Sequence, residues 1–238
     1  YTVFEVVNTR GRELTTADLL KSYVLSQTPA AEKQERYEQW RAISQSFSAE
    51  TSGSTFVQYI RHAVTVEYGH VLPKDLYGFL SRKRTHSKTP PSPPELLDLL
   101  SKRLPLYRQI DDPTISGPAE GPALETFTAL NSLNVLTVRP ILLALFDLED
   151  AKPGLDYLLR LVVRRIVVGN LGTGNIERRF SEVARKIWET KDWTVLSEEL
   201  ADLNPPKDDF VNQLRKRSFN KGTLAFVRRS VLQHSTTP

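Results

Sequence analysis

Cysteine and methionine are both missing from the 238 residues of this chain. Without cysteine there can be no disulfide, no thiolate nucleophile and no cysteine-ligated zinc. Methionine is absent even at position 1, which indicates a processed or truncated chain. A hydrophobic core must therefore hold the fold together, and the length suffices for one large domain or two small ones.

Histidine is scarce, and no two histidines stand at a spacing that would let them share a metal ion. No HExxH or HxxxH pair occurs among the four, which are His62, His70, His86 and His234. Zinc hydrolases commonly bring their ligands together through such pairs. We therefore expect no catalytic metal site built from this chain alone, and no cofactor bound by it.

Glycine-rich phosphate loops are also missing. The stretch LGTGN, residues 171–175, is only superficially similar to one, since it lacks the lysine and the preceding strand of a P-loop. We interpret Gly169 as the end of one helix and Asn175 as the cap of the next.

Long apolar runs are absent as well. None approaches the roughly 18 to 20 residues that a membrane-spanning helix needs, and no signal-peptide pattern is found at the N-terminus. These features predict a cytoplasmic protein with no membrane partner. The net charge of +4 permits an anionic partner such as nucleic acid without requiring one.

Strand signals are confined to the first seven residues, YTVFEVV, and apolar residues then recur at helical spacing in about a dozen segments. The sequence therefore predicts a mostly α, multi-helix bundle-like domain with one short N-terminal strand. Thr15 or Thr16 is expected to cap the first helix. The segment ILLALFDLED, apolar on most sides, predicts a buried helix. Loops are expected near residues 84–95 and 111–122, where proline and small polar residues cluster.

Pairs of basic residues recur along the predicted helices. Neighbouring helical residues point about 100° apart, so each pair usually keeps one side chain in solvent and one able to reach a partner. Any single pair is best interpreted as a solvated face, but several together favour a surface that contacts phosphates. The pair in LVVRRIVV interrupts an apolar helix, so one of its members is expected to meet a buried carboxylate or to line a cleft. The candidate contacts to DNA or to a neighbouring domain are Arg164, Arg165, Arg178, Arg179 and Lys216.

The turn NTRG follows the predicted strand and precedes a helix N-terminus. Asn8 tolerates left-handed geometry, Arg10 offers a fork of donors, and Gly11 permits a positive φ. With the free amide groups of the next helix, these residues would suit an anion. An equally good interpretation is a capped turn in which Arg10 forms a salt bridge with Glu5 or Asp18.

Three stretches, in this order, resemble one family. VFEVVNTRGRELTTADLLKSYVL is similar to the last block of the N-terminal domain of GmrSD-type proteins, which are modification-dependent (type IV) restriction endonucleases and phage-defence relatives. LNVLTVRPILLALFD is similar to their helical core. LVVRRIVVGNLGTGNIERRFSEVARKI is similar to their "RR…G…N…F" segment. The resemblance spans nearly the whole chain, with residues 30–120 the least constrained.

Such proteins combine a ParB/sulfiredoxin-like domain with a DGQQR signature, a helical middle region and an HNH-type nuclease domain. This chain contains neither DGQQR nor the nuclease motif. The resemblance implies that residues 1–28 are the closing strand, turn and first helix of the ParB-like domain, and residues 29–238 the helical middle domain. It further implies a partial phosphate site of Asn8, Thr9, Arg10 and Gly11, with Lys21 as a supporting charge.

The resulting hypothesis is a helical scaffold that couples a nucleotide-sensing domain to an HNH nuclease domain of a DNA-targeting phage-defence nuclease, without complete catalytic machinery of its own. A nucleoside triphosphate and a divalent metal are expected only for the full-length protein. The expected partners are the adjoining domains, DNA bound weakly, and a second copy of the chain. The alternative hypothesis is a protein-interaction or oligomerisation module with no nucleic-acid role, whose surface would be the aromatic helix with Tyr37, Trp40 and Phe47.

Overall fold

The computed structural model describes residues 15–47, 52–81, 89–169 and 174–235, and the architecture of these residues is all-helical. The mostly α, multi-helix fold is thereby confirmed, while the predicted N-terminal strand lies outside the described residues. The described part of the chain contains twelve α-helices: α1 (Thr16–Gln27), α2 (Lys33–Gln45), α3 (Ser52–Tyr68), α4 (Leu76–Ser81), α5 (Pro93–Asp111), α6 (Pro122–Ser132), α7 (Arg139–Leu145), α8 (Lys152–Val168), α9 (Gly174–Thr190), α10 (Thr194–Glu199), α11 (Lys207–Lys216) and α12 (Lys221–Ser235).

The chain divides into two compact units. Unit 1 comprises Tyr1–Val64 and Val71–Lys102, and unit 2 comprises Thr65–His70 and Arg103–Pro238. The helices α3 and α5 therefore contribute residues to both. The predicted domain boundary after residue 28 stays a prediction; in the structure α1 packs within unit 1 against α2 and α4.

Helix α1 begins with a capping box. Thr15 accepts a hydrogen bond from the Asp18 amide at 3.2 Å, and the Thr15 amide donates to the Asp18 carboxylate at 3.1 Å. These reciprocal bonds satisfy two amides that a helix start otherwise leaves unpaired. Of the two expected caps, Thr15 is the residue used.

The core of unit 1 is aromatic where α2 meets α3. The rings of Trp40 and Phe56 meet edge to face with centroids 5.2 Å apart, and Phe47 lies 5.5 Å from Phe56 and 5.3 Å from Tyr59. The Tyr59 hydroxyl donates to the carbonyl of Leu100 on α5. Trp40 is only 4% exposed. The main aromatic of the proposed interaction surface is thus part of the core of its own unit.

Unit 2 is built around α7, all of whose residues are buried. The buried helix expected from ILLALFDLED is confirmed for its first five residues, and it packs against α9 and α8. Residues 146–150 lie outside the helix and are not buried. Around it α8 pairs with α6, α10 and α11, and α12 packs on α6. Arg139, at the start of α7, stays buried because its guanidinium bonds to Asp111 at 2.5 Å and to the Tyr107 hydroxyl at 3.1 Å.

The loop between α5 and α6 covers residues 112–121, as expected, and is held by one buried glutamine. Gln109 donates to the Ala119 carbonyl at 2.9 Å and accepts from the Ala119 amide at 2.8 Å. Asp112 accepts from the amide and hydroxyl of Thr114, which tightens the first turn of the loop. Of the first expected loop, residues 84–88 lie outside the described part of the chain.

Two helix starts differ from the sequence prediction. Helix α9 begins at Gly174, so Asn175 lies inside the helix and the prediction that it caps the helix is wrong. Helix α5 begins at Pro93, inside the loop expected near residues 84–95, and Ser92 donates its amide and hydroxyl to the Glu95 carboxylate at this start. The end of α8 at Gly169, with φ of 84°, is confirmed.

Candidate functional site

The predicted phosphate-binding residues Asn8, Thr9, Arg10 and Gly11 lie outside the residues that the structure describes. Just after them, the carboxylate of Asp18 is engaged by Thr15 in the capping box. Lys21, the predicted supporting charge, places its ammonium 4.6 Å from the ring centroid of Tyr37, where the ring quadrupole attracts it.

The other predicted residues lie in unit 2, and three of them converge on one turn. Arg164 and Arg165 are near the end of α8, and Arg179 is in the second turn of α9. All three reach residues 199–204, where α10 ends and a short 3₁₀ helix, Ala201–Leu203, follows. We call residues 199–204 the arginine-bound turn.

Arg179 makes the most extensive contact with the arginine-bound turn. Its two terminal nitrogens lie 2.7 and 2.6 Å from the two carboxylate oxygens of Asp202, and Nη2 also lies 2.5 Å from the Glu199 carbonyl. Hydrogen bonding to Asp202 raises the pKa of Arg179. The same hydrogen bonds hold the pKa of the Asp202 carboxyl below its usual value of about 3.8.

The pair on α8 is divided in the expected way between a more exposed and a buried member. Arg165 is 5% exposed and donates to the Leu203 carbonyl at 3.2 Å. Burial, and secondarily the nearby charge of Arg179, lowers the pKa of Arg165. Arg164 donates to the side chain of Asn204 at 3.1 Å and stands 5.8 Å from the ring centroid of Phe210. The contact of Arg165 with the turn is a main-chain carbonyl, whereas the sequence had suggested a buried carboxylate or a cleft.

Arg178 and Lys216 behave differently from these three. Both are exposed, and neither takes part in a hydrogen bond or ion pair within the described part of the chain. Arg178 lines a surface depression at α9 and α10 together with Glu182, Lys186 and Glu199. Lys186 and Glu199 form an ion pair at 2.6 Å across it. The five predicted contacts thus separate into three structural arginines and two free cations.

Sequence reasoning missed a buried ion triad in unit 2. Arg103, whose side chain is 3% exposed, lies 3.0 Å from the Glu67 carboxylate and 2.9 Å from that of Asp147. Its Nε has no acceptor within the described residues. One signal was available, because Glu67 falls on the apolar stripe of α3, where a charge implies a buried partner. The two carboxylates lie 36 and 44 residues away from Arg103 in the sequence, so no local pattern identifies them as its partners.

The histidines do not form a catalytic arrangement where the structure describes them. His70 Nδ1 lies 3.2 Å from the hydroxyl of Ser181, but that serine is buried and donates to the Glu177 carbonyl at 2.7 Å. His62 is buried, with Nε2 3.3 Å from Arg61. No group of three or more acidic, histidine or cysteine side chains able to hold a metal occurs within residues 15–47, 52–81, 89–169 and 174–235.

Comparison with protein-family models, with curated proteins and with solved structures finds no match to this chain. No helix in the described ranges has the length and apolar character needed to cross a membrane.

Acid should weaken the arginine-bound turn. Since the pKa of Asp202 is lowered in the folded chain, its contribution to stability is present above the usual carboxyl pKa of about 3.8 and is lost as the pH falls below that value. We expect Asp202→Asn to be less stable than wild type at pH 7 and to lose less stability between pH 5 and pH 2. Thermal unfolding followed by circular dichroism at pH 7, 5, 3 and 2 measures both differences.

The matched control is Glu149→Gln, which changes an exposed carboxylate that has no partner in the described residues. Its acid sensitivity should follow that of wild type. Equal acid sensitivity of Asp202→Asn and wild type would show that the Arg179–Asp202 pair does not contribute to folding.

Proposed function

We propose that this chain is the helical scaffold of a DNA-targeting phage-defence nuclease, coupling a nucleotide-sensing domain to an HNH-type nuclease domain. The support from sequence is the resemblance of three stretches, in the same order, to GmrSD-type proteins. On this proposal the protein is cytoplasmic, and a nucleoside triphosphate and a divalent metal act on the adjoining domains. Asn8, Thr9, Arg10 and Gly11 supply one part of the nucleotide site.

The observation that carries the proposal is the arginine-bound turn. The "RR…F" stretch, which gives the third resemblance, contributes Arg164, Arg165 and Arg179, and all three side chains bond to residues 199–204. Charge-assisted hydrogen bonds of this kind hold α8, α9 and the arginine-bound turn together. Basic residues used in this way favour a mechanical role, in which a rigid element passes on a change made elsewhere, over direct contact with a substrate.

A second feature supports the coupling role at the other end of the chain. The predicted nucleotide turn ends at Gly11, and α1 begins at Thr16, where the capping box of Thr15 and Asp18 fixes its start. Helix α1 packs within unit 1 against α2 and α4, and its Leu20 and Val24 are fully buried. On this proposal a displacement of the nucleotide turn is passed to α1, and the packed side chains of α1 are one kind of contact through which coupling travels.

The test uses the full-length protein with its flanking domains. Arg165→Met should reduce nucleotide stimulation of DNA cleavage by about fivefold or more, the lower range of ordinary coupling energies, while nucleotide affinity stays within about twofold of wild type. Arg160→Met is the matched control, because Arg160 is an exposed arginine of the same helix that bonds only to the Asp156 carbonyl in its own helix.

A full-length protein that shows no nucleotide-dependent DNA cleavage would overturn the proposal. If it also formed a stable oligomer by light scattering, the oligomerisation module would be the better assignment. That alternative would need a surface other than the helix of Tyr37, Trp40 and Phe47, whose central ring is buried.

A further inference from the structure

Positive charge is concentrated at the C-terminal end of the chain. Residues 210–238 contain six lysines and arginines and no acidic residue. The whole chain carries a net charge of +4, so the preceding 209 residues carry a net charge of −2. The mildly basic composition is therefore a property of one short region, which includes most of α11 and all of α12.

Five of these six cations are exposed and have no partner among the described residues. They take part in no hydrogen bond or ion pair within the described part of the chain, and they are Arg215, Lys216, Lys221, Arg228 and Arg229. The sixth, Arg217, bonds to the carbonyls of Ile166 and Val167 at 3.3 Å each. Those carbonyls lie at the end of α8, where a cation is favoured. Arg217 thus attaches the connection between α11 and α12 to the end of α8. The other five cations remain exposed to solvent.

Three of the free cations lie close together in the chain. Arg215 and Lys216 end α11, and Lys221 begins α12 after the four-residue connection 217–220. We call these three residues the basic corner. Arg228 and Arg229 follow on α12, about 10 to 12 Å along the helix axis from Lys221 at 1.5 Å per residue. The five charges therefore extend over a length comparable to several phosphate groups of a DNA strand.

Helix stability does not explain this distribution. Arg215 and Lys216 complement the negative end of the α11 dipole, but Lys221 stands at the positive end of the α12 dipole, where a cation is unfavourable. No carboxylate in residues 210–238 offsets the repulsion among the six charges. A cluster of like charges that has no carboxylate partner among the described residues has the electrostatic character of a surface for an external polyanion.

We propose that the basic corner, with Arg228 and Arg229, binds the phosphate backbone of duplex DNA without sequence preference. The inference rests on the proposed function for the choice of DNA as the polyanion, and it places the contact on α11 and α12 rather than on Arg164, Arg165 and Arg179. An anionic membrane surface is less well matched. Membrane-bound amphipathic helices bury a broad apolar face, and here only Val231 and Leu232 are large exposed apolar residues in α11 and the described side chains of α12.

The test measures binding of the 238-residue chain to a fluorescently labelled 30-base-pair duplex by anisotropy over a series of salt concentrations. With about five phosphates neutralised, the logarithm of the association constant should fall with the logarithm of salt with a slope of about −4 to −5. The test variant carries glutamine at all three positions of the basic corner: Arg215→Gln, Lys216→Gln and Lys221→Gln. It should reduce the slope by about 3 and weaken binding at least tenfold at low salt.

The control variant removes the same number of charges from exposed lysines elsewhere: Lys33→Gln, Lys74→Gln and Lys152→Gln. It should retain most of the wild-type affinity and the wild-type slope. None of the three residues of the basic corner has a partner among the described residues, and the lost dipole interactions of Arg215 and Lys216 are offset by the removal of Lys221 from the start of α12. The test variant should therefore unfold close to the temperature of wild type.

Three results would overturn the inference. They are equal losses in the test and control variants, no salt-dependent binding by wild type, and binding to phosphatidylserine vesicles but not to the duplex. Each of these leaves the nucleotide-dependent cleavage assay of the full-length protein unaffected as a test of the scaffold. The converse outcome is also distinguishable. If the full-length protein shows no nucleotide-dependent cleavage, but the test variant still binds DNA more weakly than the control variant, the proposed function is wrong and the DNA-binding surface is supported.

Discussion

Replacing Arg103 by methionine should lower the free energy of unfolding by about 3–5 kcal/mol, the loss usual when one partner of a buried ion pair is removed. The guanidinium is the countercharge of two carboxylates, Glu67 at 3.0 Å and Asp147 at 2.9 Å. Methionine fills a similar volume but leaves both carboxylates partly buried and without their countercharge. Urea unfolding followed by circular dichroism measures the change.

Two further variants separate charge from packing at this site. Lys152→Met removes a lysine whose side chain is 67% exposed and should cost less than about 0.5 kcal/mol. Adding Glu67→Gln and Asp147→Asn to Arg103→Met removes the uncompensated charges and should recover part of the lost stability. If Arg103→Met were no less stable than Lys152→Met, the triad would have no part in holding unit 2 together.

Phe180→Ala should lower the free energy of unfolding by a similar amount, about 3–5 kcal/mol. Phe180 is 2% exposed and lies on α9, the principal packing partner of the buried helix α7. Removing the ring loses its transfer free energy and leaves a cavity, because the surrounding buried side chains relax only partly into the space. The same urea titration measures the effect.

Val231→Ala is the apolar control for Phe180→Ala, since Val231 is 61% exposed and its truncation creates no cavity. It should change stability by less than about 0.5 kcal/mol. Phe180→Leu should lie between the two, because leucine replaces part of the lost volume. A loss below about 1 kcal/mol for Phe180→Ala would mean that the Phe180 ring is not a main support of unit 2.

The helical fold could be predicted because its signals are local. Apolar spacing predicts the helices, and the apolar character of ILLALFDLED on most sides predicts that α7 is buried. Prolines and glycine marked the ends, as at Gly169, where a positive φ is required. The exact first residue of a helix is harder to predict, because capping depends on which of several neighbouring polar side chains reaches the free amides, as at Ser92.

The partners of the charged residues could not be predicted in the same way. Nothing local in the sequence distinguishes Arg179, which bonds to Asp202, from its neighbour Arg178, which is free. The difference depends on where residues 199–204 lie after folding, 20 or more residues further along the chain. The same holds for Arg165 and Arg103, whose acceptors are between 36 and 44 residues away. Trp40 was likewise assigned to a surface because its covering residue, Phe56, belongs to the next helix.

The bonds between Gln109 and Ala119 have a consequence for proteolysis. An exposed connection of ten residues is the kind of segment that proteases cleave first, because they bind an extended chain. Here the amide and the carbonyl of Ala119 are both held by one side chain from α5, so a protease must wait for two hydrogen bonds to open together. Resistance to cleavage in this loop is thereby linked to the stability of α5, the helix that carries Gln109.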